Sequence, residues 1–62
     1  MSYEQARSLL GGNHADWYMI KATRDQREIA RMGAWYCNNN EAFDAYNALN
    51  RAIDDRQHAN DN

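Results

Sequence analysis

The thiol and imidazole side chains of this sequence, which are common nucleophiles, bases and metal ligands, are those of Cys37, His14 and His58. A thiolate–imidazole pair needs both groups within hydrogen-bond reach, and a structural zinc site needs four ligands at spacings such as C-x-x-C. The three residues are scattered along the chain and match neither pattern. The adjacent carboxylates Asp54 and Asp55 would point about 100° apart on a helix and would not share a site. We therefore expect no enzyme activity, no metal and no cofactor.

Three arginines form the second group of side chains that could take part in chemistry or binding. On a helix, at about 100° per residue, Arg24, Arg27 and Arg31 fall within about 60° of one another. A guanidinium group suits bidentate contact with a carboxylate or a phosphate. The stripe therefore predicts a charged docking surface, although a solvated face with local pairs such as Arg24–Glu28 is the plainer interpretation.

Two aromatic pairs, Trp17-Tyr18 and Trp35-Tyr36, lie about five helical turns apart. Core packing is their plainest role, because each large aromatic side chain buries about 150–250 Å². Tryptophan is also enriched at interface hot spots, and both tryptophans fall at the edge of the predicted buried stripe. We therefore predict a partner-binding surface made of five residues: Trp17, Arg24, Arg27, Arg31 and Trp35.

Length and composition limit the secondary-structure elements that can position these side chains. The chain has 62 residues, no proline and one cysteine, and a domain of this size buries only about 60% of its unfolded surface. Without a disulfide or a metal, stability must come from regular helices, oligomerisation or docking to a partner. No run approaches the roughly 20 apolar residues of a membrane span, and the N-terminus lacks the pattern of a signal peptide. We expect a cytoplasmic protein.

The first of three predicted helices spans about residues 2–10. Ser2 and Gln5 have the spacing of a capping box, and Gly11-Gly12 supplies a left-handed C-terminus. The third helix spans about residues 41–57, after an asparagine turn over residues 38–40 in which Asn40 serves as N-cap. Its apolar stripe comprises Ala42, Phe43, Tyr46, Leu49 and Ile53.

The second predicted helix runs without a break from about His14 to Cys37, with Asn13 as N-cap. Two features oppose this prediction: the β-prone run at residues 17–20 and a second capping-box match at Thr23 and Gln26. The alternative is a strand over residues 17–22 followed by a helix over 24–37, but the chain offers no second convincing strand. The buried stripe of the unbroken helix comprises Tyr18, Ala22, Ile29, Met32 and Tyr36.

The sequence thus predicts an all-α fold with a short N-terminal helix followed by a long antiparallel helical hairpin. The single domain covers residues 1–57, and a frayed polar tail covers residues 58–62. Dimerisation into a bundle is a further use for the aromatic side chains that one hairpin leaves uncovered.

The leading functional hypothesis is a small non-enzymatic protein-binding regulator or inhibitor that docks on a larger macromolecule. Its small size alone suggests a phage- or mobile-element-type modulator of host machinery. One alternative is a nucleic-acid-binding dimer that uses the Arg24, Arg27 and Arg31 stripe. The formal net charge of −2 and the acidic face of the prospective recognition helix at residues 41–51 oppose it. The other alternative is a purely structural homo-oligomer.

Overall fold

The computed structural model describes residues 1–60, which fold as an all-α domain with no β-strand in that range. Its elements are α1 (Tyr3–Leu10), α2 (Gly12–Asp16), a π-helical turn (Trp17–Lys21), α3 (Arg24–Tyr36) and α4 (Asn40–Asn60). The all-α prediction is confirmed. The prediction of three helices is wrong, because the expected second helix consists of α2, the π-helical turn and α3.

The first helix is held by the predicted capping box. The Ser2 hydroxyl accepts from the Gln5 backbone N–H at 3.2 Å, and the Gln5 side chain accepts from the Ser2 N–H at 2.9 Å. Gly11 ends α1 with φ of +90°, a conformation that favours glycine. Asn13 is not an N-cap, since α2 begins at Gly12 directly after Gly11.

A break at Ala22 and Thr23 separates the π-helical turn from α3. Both residues have extended backbone, with ψ of 136° and 166°. The Thr23 hydroxyl accepts from the Gln26 N–H at 3.1 Å, and the Gln26 side chain accepts from the Thr23 N–H at 2.8 Å. This second capping box starts a new helix. The unbroken helix and the alternative strand over residues 17–22 are therefore both wrong.

Helix α4 lies at the centre of the core. It supplies six of the ten buried apolar residues, and Leu49 on α4 and Tyr18 on the π-helical turn are the largest fully buried side chains. Helix α1 packs on α4 more extensively than α3 does. The core is rich in alanine, and small side chains let the helices approach closely. Its buried residues are Ala6, Ala15, Tyr18, Ala22, Ala42, Ala45, Tyr46, Ala48, Leu49 and Ile53.

The predicted asparagine turn connects α3 to α4. Asn38 has φ of +57°, the left-handed conformation that asparagine tolerates. Asn39, rather than Asn40, caps the next helix, since its side-chain oxygen accepts from the Ala42 N–H at 3.2 Å. Helix α4 continues to Asn60, past the predicted end at about Gln57. Residues 61 and 62 of the predicted tail lie outside the described range. Over residues 1–60, none of the helices has the length and apolar character needed to cross a bilayer.

Candidate protein-docking surfaces

Helix α3 turns its most apolar face to solvent. Ile29 is 72% exposed and Tyr36 is 79% exposed, and none of the α3 side chains is buried. The predicted burial of Ile29 and Tyr36 is therefore wrong. The side of α3 that packs against the core carries Ala30 and Ala34 instead. The break before Thr23 explains this, because α3 begins anew there and its rotation is independent of the buried Tyr18.

The arginine stripe lies on the inner side of α3, where two of its three members contact the chain itself. The Arg27 guanidinium donates to the Ala22 carbonyl at 3.0 Å. Arg31 donates to both carboxylate oxygens of Glu28, at 2.8 and 3.0 Å, and its guanidinium carbon lies 5.4 Å from the centre of the Phe43 ring. The Arg31–Phe43 contact joins α3 to α4, and the contacts together leave Arg27 and Arg31 less available to a partner.

The structure brings the other predicted residues together only in part. Trp35 is 54% exposed and its ring packs on Phe43 at a centroid distance of 5.2 Å, beside Arg31. Arg24 is exposed and lines a groove of about 240 Å³ between α3 and α4. The residues lining that groove are Arg24, Arg27, Glu28, Asn50, Ile53 and Asp54.

Trp17 belongs to a different surface on the π-helical turn. It lines a shallow cavity of about 220 Å³ with Asn13, Asp16, Ile20 and Lys21, and none of the other four predicted residues takes part. Ile20 is 72% exposed at this cavity. Ile20 was not among the predicted docking residues, although an ideal α-helix places it about 200° from the buried Tyr18. We call this cavity and its five lining residues the π-turn surface.

A set of polar contacts fixes the π-turn surface on α4. The His14 ring stacks on Trp17 at a centroid distance of 5.4 Å, and its Nε2 lies 2.8 Å from the Tyr46 hydroxyl. The Tyr18 hydroxyl donates to the Asn50 side-chain oxygen at 2.7 Å. Each pair joins residues that are 32 positions apart. Residues 14–18 and the facing residues 46–50 of α4 therefore run in the same direction.

The two core tyrosines have perturbed acidities. Burial raises the pKa of Tyr18, and the hydrogen bond that its hydroxyl donates to Asn50 and the charges of Arg27 and Arg31 oppose that rise. Burial also raises the pKa of Tyr46.

The sequence contains a signal for the His14–Tyr46 and Tyr18–Asn50 contacts. It is a pair of i, i+4 spacings, His14 with Tyr18 and Tyr46 with Asn50, which place each pair on one helical face.

An ion pair joins α1 to the π-turn surface. The Arg7 guanidinium donates to both carboxylate oxygens of Asp16, at 3.2 and 3.1 Å. Gly12 makes room for it, because a Cβ at that position would lie 3.0 Å from an Arg7 nitrogen. Among the described residues, no three His, Cys, Asp or Glu side chains come together in a metal-binding group.

No protein-family model matches the chain, and neither a curated protein nor a solved structure is significantly similar to it.

Proposed function

We propose that this chain is a small non-enzymatic regulator or inhibitor that docks on a larger protein through the π-turn surface. The observation that supports it is an isoleucine, Ile20, that is 72% exposed on a π-helical turn. Single π-helical turns are rare and occur often at functional sites. A turn that presents Ile20 beside Trp17 is suited to the centre of an interface, where tryptophan is a preferred anchor.

The chemistry of this surface defines the partner it fits. Trp17 and Ile20 form an apolar centre, and Lys21 lies exposed at the edge. Asp16 is paired with Arg7, so Lys21 is the charge of this surface that has no ion-pair partner among the described residues. The complementary surface carries an apolar side chain next to a carboxylate. Apolar centres with polar rims are the usual anatomy of protein interfaces.

The surface is also preorganised. Trp17 is half-buried and stacked on His14, which in turn lies against the Tyr46 hydroxyl. A side chain that is already ordered loses little conformational entropy on binding, and this improves affinity without any further contact.

The contacts of the arginines do not favour the nucleic-acid alternative, because Arg27 and Arg31 are engaged within the chain. The phage- or mobile-element-type role and the cytoplasmic location remain hypotheses.

The antiparallel hairpin of α3 and α4 is also a proposal. It is supported by the Trp35–Phe43 contact near the turn and by the groove that joins Arg24 to Ile53 farther from it.

A photo-crosslinking amino acid in place of Ile20 tests the proposal. The full chain is irradiated in a lysate of the source organism, with the same label at the exposed Gln57 as a matched control. A protein captured from position 20 and not from position 57 is then purified and titrated with wild-type chain by calorimetry.

The Ile20→Glu variant should raise the Kd for that protein at least tenfold, because it places a charge in the apolar centre of the interface. The control is Ile29→Glu, which alters a side chain with the same 72% exposure on α3 and should bind the partner normally. Equal Kd values for wild type and Ile20→Glu would refute the π-turn surface. A captured nucleic-acid complex whose affinity falls steeply with salt would favour the arginine alternative.

A further inference from the structure

We propose that a second copy of this chain covers the outer face of α3, which comprises Ile29, Met32, Gly33 and Tyr36. The two α3 helices would pack antiparallel about a two-fold axis that passes between Met32 and Gly33. This surface is separate from the π-turn surface, so the inference does not depend on the proposed function.

The outer face is an apolar stripe in which Ile29, Gly33 and Tyr36 are exposed and Met32 is partly buried by the described part of the chain. At about 100° per residue, its four residues fall within about 100° of one another. Ile29 and Tyr36 are 72% and 79% exposed, and Trp35 at the edge of the stripe is 54% exposed. Clustered apolar exposure of this kind marks an interaction site, whereas single exposed apolar residues do not.

The exposed area is large enough for a weak but specific dimer. At about 150–250 Å² per aromatic side chain, Tyr36 and Trp35 together account for roughly 250 Å² of exposed surface. In two paired copies these aromatics supply roughly 500 Å², and Ile29, Met32 and Gly33 add to it, towards the roughly 1,000 Å² that a specific interface needs.

The order of residues along the face makes it self-complementary. With the two-fold axis between Met32 and Gly33, Ile29 lies opposite Tyr36 of the second copy. Met32 lies opposite Gly33 of the second copy, and both contacts occur twice by symmetry, as in any isologous interface. Each flexible methionine then fills the notch left by a glycine.

Gly33 gives a second line of support for a helix packed on this face, independent of the exposed apolar side chains. It lies inside α3, where glycine lowers helix stability relative to alanine. A Cβ at this position would have no atom of the described residues within 4 Å, and the backbone of Gly33 does not have a positive φ. Nothing within one copy therefore requires glycine there, whereas close approach of a second helix does.

The charges of α3 favour the antiparallel arrangement. All of them lie between Arg24 and Arg31, and residues 32–36 carry none. Antiparallel packing places the charged half of each helix beside the uncharged half of the other. A parallel pair would instead bring Glu28 next to its own copy and would align the two helix dipoles.

Sedimentation equilibrium of the full chain over a wide concentration range tests the dimer. The wild type should show a reversible monomer–dimer equilibrium, and Ile29→Glu should be monomeric with unchanged helical circular dichroism. Ile20→Glu is the matched control, because it alters an equally exposed isoleucine outside the face and should dimerise normally. A wild type that stays monomeric at all concentrations overturns the proposal, and so does a dimer that only Ile20→Glu disrupts.

Gly33→Ala separates a role in the dimer from a role within one copy. At concentrations where the chain is monomeric, the variant should be more stable than the wild type, because alanine is the better helix former and its methyl group meets no neighbour. The same variant should raise the dimer Kd at least tenfold by filling the notch for Met32. Unchanged or tighter dimerisation would refute close approach at Gly33.

Cysteine pairs test the antiparallel register in a Cys37→Ser background. A mixture of Ile29→Cys and Tyr36→Cys chains should form a disulfide-linked dimer under mild oxidation. Neither variant alone should crosslink efficiently, because its two cysteines would be about 10 Å apart along the axis at 1.5 Å per residue, beyond the reach of a disulfide. Efficient crosslinking of either variant alone would indicate a parallel arrangement and refute the register.

Discussion

Replacing Thr23 by alanine tests the break between the π-helical turn and α3. The break predicts that this substitution lowers the free energy of unfolding, whereas an unbroken helix predicts that it raises it. In the structure, Thr23 caps α3 through a bond of 3.1 Å from the Gln26 N–H, and the return bond from Gln26 is 2.8 Å. Loss of an N-cap costs about 1 kcal/mol. In a domain of this size that corresponds to a fall in Tm of about 4–8 °C.

In an unbroken helix the same substitution would stabilise the chain by up to about 0.7 kcal/mol, because alanine has a higher helix propensity than threonine. Urea unfolding followed by circular dichroism at 222 nm measures the sign. Ser2→Ala is the matched control, since Ser2 caps α1 through the same capping-box geometry and should also destabilise. A Thr23→Ala chain as stable as wild type or more so, with Ser2→Ala destabilised, would refute the break.

Two further predictions concern the core. Leu49→Asp should abolish the cooperative thermal transition, because it places an unpaired charge at a fully buried position; a cooperative melt followed by circular dichroism would contradict the central position of α4. Burial raises the pKa of Tyr18 and that of Tyr46 above the ordinary 10.0, so their contribution to stability is present below pH 10 and is lost as the pH rises through the raised values. Urea unfolding at pH 8 and pH 11 should show this loss, and Tyr46→Phe should reduce it; an equal loss in wild type and variant would contradict the assignment.

Local signals in the sequence predicted most of the helix ends. The capping box of Ser2, the positive φ of Gly11 and the asparagine turn at Asn38 are each fixed by one or two residues and their own backbone. The α4 stripe was also predictable, since Leu49 and Ile53 follow a helical period and are buried. Such features depend on bonds within a few residues, which the sequence shows directly.

The rotation of α3 was not predictable in the same way. Its hydrophobic period indicates a buried face at Ile29 and Tyr36, and a stripe of that kind is normally turned inward. The contact that forms instead uses Ala30 and Ala34, together with the stacking of Arg31 on Phe43. Small side chains give a weak hydrophobic signal, and their contacts depend on a partner helix many residues away.

The candidate site was only partly visible in the sequence. Trp17 was singled out for its residue type, and it lines the π-turn surface. Ile20 lies about 200° from Tyr18 on an ideal helix, so the helical period already places it on the solvent side, but its residue type alone does not mark it as part of an interface. The surface predicted from Arg27 and Arg31 assumed that charged side chains face solvent, but both fold back on the chain.

The central position of α4 has a consequence for biosynthesis. The ribosome makes α4 after every element that packs on it, and at about 5–20 residues per second its 21 residues take on the order of one to four seconds. Until they emerge, Ala6, Ala15 and Tyr18 have no surface to pack against. The nascent chain therefore cannot complete its core segment by segment, and the buried contacts of Ala6, Ala15 and Tyr18 can form only after α4 has been synthesised.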